Sequence, residues 1–166
     1  MVQQIIMECD KRTGLLMHFQ YGIYYSPVPV AFFRVLAPRH RRGFVETDEL
    51  VLVITSEIGS GATGIVHGGT LEVELAGQCV SLDVVAKLAF SDYQKEQLAH
   101  ENEIYLYLRS RHVRGIPMSL GLFGCTDGGP SALILTYNGV SITRDTQLSS
   151  DIRSVFSPLT ILLINC

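Results

Sequence analysis

The hydrophobic pattern of this chain switches period, and each switch falls at a turn signal. Leu71-Glu72-Val73-Glu74-Leu75 alternates apolar and charged residues, the period of a half-buried strand. Val84 to Phe90 is apolar apart from Lys87, as a strand buried on both faces would be. Ser91-Asp92-Tyr93-Gln94 then reads as a capping box, and the helix it opens runs to about Arg111, with Glu101, Ile104, Tyr105 and Leu108 on one face. Two more strands, Ile116 to Gly124 and Ala132 to Thr136, flank a turn at Thr126-Asp127-Gly128-Gly129-Pro130. Tyr137-Asn138-Gly139 is an abrupt return to polar turn residues.

Ahead of the lysine strand lies Gly59-Ser60-Gly61-Ala62-Thr63-Gly64-Ile65-Val66. Three glycines at this spacing let the backbone approach a phosphate, and Lys87 can supply the countercharge. A dinucleotide-binding fold would open a helix at the last glycine and place the pyrophosphate on its N-terminus. Here Gly68-Gly69 and the alternating stretch follow, which argues for strand. Asp83 stands 19 residues after Gly64, near the offset of a ribose-binding carboxylate, but a strand starts at it instead of ending there. The glycine run therefore reads as the bend of a hairpin.

Lys87 and Glu101 are both charges set in apolar surroundings. An unpaired buried charge costs several kcal/mol, roughly, so each requires a partner of opposite sign. Glu103 is the rival to Glu101, but it points away from the apolar stripe of the helix.

Strand, glycine loop, strand, lysine strand, helix, strand, strand, connector: in this order residues 48–145 resemble the small, ATP-binding lobe of the protein kinase family. Gly59, Gly61, Gly64 and Val66 match G-x-G-x-x-G-x-V, and Lys87 matches the lysine of V-A-I-K. The wording Glu101, Tyr105, Leu108, then Ile116-Pro117 and Gly121-Leu122-Phe123, is closest to divergent fungal kinase-like proteins. The resemblance implies an α+β fold, a twisted antiparallel sheet of about five strands with one long C-helix. It implies ATP as ligand, with Lys87 on the phosphates and Glu101 holding Lys87. Ser60, Ala62 and Thr63 complete the loop, and Val66 and Val85 form the ceiling of the adenine slot, narrowed because Val85 stands where the family usually has alanine. Leu135 resembles the gatekeeper, and Thr136, Tyr137 and Asn138 the hinge against the base. Protein substrates or regulators would be the partners.

The departure from the family is an absence. Neither His-Arg-Asp nor Asp-Phe-Gly occurs among the 166 residues, so the aspartates that position the acceptor hydroxyl and hold magnesium are not in this sequence. No metal site is expected without a large lobe. Residues 146–166 resemble the start of that lobe, interrupted by Pro158 and ending in apolar Leu159 to Ile164, as in a truncated gene product. The expected activity is that of an ATP-binding but inactive kinase-like chain; the alternative is a non-catalytic nucleotide-binding or protein-interaction module.

Composition narrows this further. With 47% hydrophobic and 17% charged residues the chain is globular, and a net charge of -3 gives no general attraction to nucleic acid or anionic membrane. Arg39-His40-Arg41-Arg42 reads as a solvated loop. Cys9, Cys79, Cys125 and Cys166 form no C-x-x-C pair, which disfavours zinc and fits an intracellular, reduced chain, cytoplasmic or nuclear. His67, His100 and His112 share no ligand spacing and read as surface or satisfied structural residues. Residues 1–47 read as an irregular extension able to add a strand or two. The apolar stretch Tyr21 to Ala37 contains Pro27, Pro29 and Arg34 and is too short for a membrane span.

Overall fold

The computed structural model describes residues 2–22, 26–35, 49–75, 77–125 and 128–139. The elements are α1 (Val2–Cys9), β1 (Gly14–Phe19), β2 (Val30–Arg34), β3 (Glu49–Gly61), β4 (Gly64–Leu75), β5 (Gln78–Ala89), α2 (Asp92–Ser110), β6 (Ser119–Gly124) and β7 (Ser131–Thr136). The Arg39 to Arg42 cluster and residues 146–166 lie outside the described residues.

The strands close into a seven-stranded barrel in the order β1-β2-β6-β7-β5-β4-β3. This overturns the expected kinase-like small lobe, a twisted antiparallel sheet of about five strands with one long C-helix. The sheet is mixed and has no free edge, because β1 runs parallel to β3 along its whole length while β2 joins β1 to β6. The physical reason lies in residues 2–34, which contribute a helix and two strands to the fold. Ile5, Ile6 and Cys9 of α1, Leu15 and Met17 of β1 and Phe32 of β2 are all buried in the main core. An open sheet would leave that apolar surface and the edges of β3 and β6 in water, and closure removes both costs.

Each strand divides its side chains between two faces. On β5 the residues Val84, Ala86 and Leu88 point into the barrel with Leu50, Leu52, Ile54, Leu71 and Val73. Ala89, Leu133 and Leu135 point outward and pack with Leu98 and Tyr105 of α2, with Val85 alongside. Helix α2 therefore lies on the outside of the barrel wall. Its start is fixed as the sequence indicates: the Ser91 Oγ accepts from the Gln94 amide and the Gln94 side chain accepts from the Ser91 amide.

Arg34 secures the seam. Its guanidinium donates to the carbonyls of Arg12 (2.7 Å), Cys9 (2.5 Å) and Leu120 (3.1 Å) and stacks 4.6 Å from the centre of the Phe123 ring. Burial pulls its pKa below the ordinary arginine value, with the charge of Asp10 opposing. Among the described residues no helix is long and apolar enough to cross a membrane.

Candidate functional site

Two chemistries lie near each other on the outer wall: the glycine hairpin of β3 and β4, and the strand β5 beside it, which packs under α2. The glycine run forms the tip of the β3–β4 hairpin: Gly61 pairs with Gly64, leaving Ala62 and Thr63 as the two turn residues. A register shift between Glu57 and Gly59 bends β3 just before this tip. Ser60, Gly61 and Ala62 are exposed.

The glycines differ in why they are glycine. Gly64 has φ +129°, and a Cβ there would fall 2.0 Å from the Leu88 carbonyl oxygen, so the fold itself excludes a side chain. Gly59 has open space around its Cβ position and no positive φ. Neither backbone nor packing requires glycine at 59, and an approaching ligand would account for it.

Lys87 stands one strand away. It is the Cα partner of Val66 on β4 and of Leu133 on β7, so all three share the outer face. Its ammonium donates to Glu101 Oε1 in a short charge-assisted hydrogen bond. Their side chains are only 16% and 12% exposed. Glu103 is 78% exposed and instead lies 3.8 Å from the imidazole of His100, which is why periodicity pointed to Glu101. Glu101 Oε2 is buried without a hydrogen-bond partner among the described residues. One turn on, burial and then the Glu101 charge push the Tyr105 hydroxyl well above the ordinary tyrosine range, so it stays protonated beside the carboxylate.

The remaining residues named from sequence split into those this geometry gathers and those it separates. Val66 and Val85 lie on the face of Lys87, and Val85 is paired with Leu135. Leu135 is 2% exposed and sealed under α2. At the connector, the Thr136 amide donates to Met118 O (3.0 Å) and the Tyr137 amide to Asp83 O (3.1 Å), so two of the three candidate base-binding amides are already engaged. Thr136 Oγ1 accepts from the Met118 amide and donates to Asn138 Oδ1 at 3.1 Å. Tyr137 and Asn138 are exposed. Among the described residues no three His, Cys, Asp or Glu side chains are grouped to hold a metal ion.

Sequence reasoning gave His67 no specific partner. It is 2% exposed, and its Nδ1 shares a 2.7 Å hydrogen bond with Tyr21 at the barrel mouth. Burial lowers its pKa, with Glu57 opposing. The two residues are 46 positions apart, and no local pattern marks them as a pair.

The chain matches no model of a known protein family, and no curated protein matches it.

Proposed function

We propose that the outer face of β3, β4 and β5 binds the phosphates of a nucleotide, ATP in the reading that the glycine and lysine motifs imply, without transferring them. The supporting observation is Lys87: a cation held by Glu101 one strand from the Gly59–Gly64 hairpin tip. A lone lysine near glycines would be unremarkable, but one fixed in position loses little freedom when a phosphate arrives. Val66 and Val85 offer apolar surface for the base, and the exposed Asn138 side chain at the connector offers a polar contact for its edge.

Catalysis is not part of the proposal. Phosphoryl transfer depends on positioning the acceptor and on metal electrostatics, and this sequence lacks both aspartate motifs that would supply them. The kinase resemblance is carried by motifs alone and speaks to ancestry; the reading for activity is a non-catalytic nucleotide-binding module, with protein regulators as further partners. A one-sided site leaves the triphosphate largely solvated, so the expected affinity is high micromolar to millimolar, about 4 to 6 kcal/mol.

Calorimetric titration of the full chain with ATP, with and without magnesium, tests this. Weak binding that magnesium barely improves and that Lys87→Ala abolishes is the expected outcome. No detectable heat, or identical heats for wild type and Lys87→Ala, would sink the proposal. Radiolabel transfer from the γ-phosphate to protein above the Lys87→Ala background would overturn its non-catalytic half.

A further inference from the structure

Helix α2 ends in a concentration of positive charge that the nucleotide site does not use. Arg109, Arg111 and Arg114 place three of the chain's 13 Lys and Arg within six residues, in a molecule of net charge -3. Cations at a helix C-terminus ordinarily answer the helix dipole. That accounts for part of this group only. Arg109 is paired with Asp10 at 2.8 Å, and Arg111 lies over the Tyr107 ring at 5.3 Å. Arg114 lies past the helix end and makes no ion pair or hydrogen bond among the described residues.

The backbone beyond the helix turns sharply. His112 adopts φ +56° and Gly115 φ +81°, and the chain then enters β6 through Ile116, Pro117 and Met118. This path leaves a hollow of about 550 Å³ between the last turn of α2, the segment after it and Gln3 of α1. Its lining combines apolar Leu106, Val113, Ile116 and Met118 with cationic Arg109 and Arg114 at the edge of the helix end. Leu106 and Val113 are each 45% exposed.

An apolar hollow under a cationic rim is complementary to one kind of partner. We infer that this end of α2 docks a short acidic segment of another protein, its aliphatic side chains seated on Leu106 and Val113 and its carboxylates facing Arg109 and Arg114. With a net charge of -3 the chain as a whole offers an acidic segment no general attraction, so Arg114 and its neighbours supply a local one. A basic segment would meet like charge, and a purely apolar one would leave the unpaired arginine desolvated.

The test uses the full chain and a synthetic amphipathic peptide, about a dozen residues of glutamate and leucine at helical spacing. Controls replace its glutamates by lysine, or its leucines by serine. Amide shift changes on titration should fall on residues 106–118, weaken with added salt, and be absent with either control peptide. Arg114→Glu and Val113→Asp, both at exposed positions, should each lower the affinity about tenfold. The ATP titration of Arg114→Glu should match wild type, which separates failure here from failure of the nucleotide site. Equal binding of the lysine peptide, an absence of shifts at 106–118, stronger binding to phosphatidylserine vesicles than to the peptide, or self-association through this face would each overturn the inference.

Discussion

The two faces of β5 are made of the same strand and do opposite things. Inward, Val84, Ala86 and Leu88 meet an interior in which every strand contributes aliphatic or aromatic carbon. Outward, the same backbone presents Val85, Lys87 and Ala89 to α2, and at the centre of that contact is an ion pair. The interior holds the molecule together; the outer face gives up apolar contact to keep a cation in one place. A buried ion pair is at best weakly stabilising compared with well-packed carbon, and the proposed phosphate-binding role of Lys87 would account for its presence under α2.

Four sets of substitutions would break or sharpen that contrast. The largest effect belongs to the interior: Phe123→Ala removes a ring that is fully buried and lies under Arg34, and should cost about 3 to 5 kcal/mol in urea denaturation. A loss below about 1 kcal/mol would mean the barrel core is loosely packed and the two faces are not so different.

On the outer face, Lys87→Ala strands Glu101 and should cost about 3 kcal/mol, whereas Lys87→Met with Glu101→Leu should restore or exceed wild-type stability while ATP binding stays lost. Recovery of stability without recovery of binding is the signature of a pair kept for function. If the double variant remains as unstable as Lys87→Ala, the pair is structural.

The hairpin tip offers a paired control. Gly64→Ala forces a Cβ against the Leu88 carbonyl at positive φ and should lower stability by about 2 kcal/mol or more. Gly59→Ala meets open space and should change stability by less than about 0.5 kcal/mol, yet weaken ATP binding. Equal ATP affinity for Gly59→Ala and wild type would remove the loop from the site.

The smallest effect concerns His67. Its folded pKa is lowered by burial from the ordinary value of 6.5, so the folded state binds fewer protons than the unfolded chain below that value. The resulting sign is a stability that holds above about pH 6.5 and falls as the pH drops toward the folded pKa. Thermal melts from pH 7.5 to 5 should therefore show a shallower decline for His67→Gln than for wild type. A steeper one would contradict the burial argument.

How much of this was legible follows from the range of the interactions. The capping box at Ser91, the course of α2 and the two hairpins depend on residues within a few positions of each other, and the structure contains them. The Lys87–Glu101 pair was legible too, because two opposite charges in apolar surroundings leave few solutions. Barrel closure was not. The parallel pairing of β1 with β3 has no local signature, and neither does the entry of β2 (Val30–Arg34) between β1 and β6. Arg34 is a charge in an apolar stretch like Lys87, yet it is satisfied by three backbone carbonyls, which no residue pattern announces. A signal did exist in Leu15 and Met17, two apolar residues at strand period, and in Ile5, Ile6 and Cys9 at helical spacing.

Among the described residues the β2–β6 ladder pairs Phe33 with Gly124 and Arg34 with Phe123. The contacts that close it join positions about 90 apart in sequence, so their loop entropy is met only after β3 to β7 have formed a wall to close against. The expected consequence is a joint that forms last and opens first. Amide hydrogens around Val35, which donates across the seam to Leu122 at 2.8 Å, should therefore exchange with solvent before those of β4 and β5 in a hydrogen-exchange experiment.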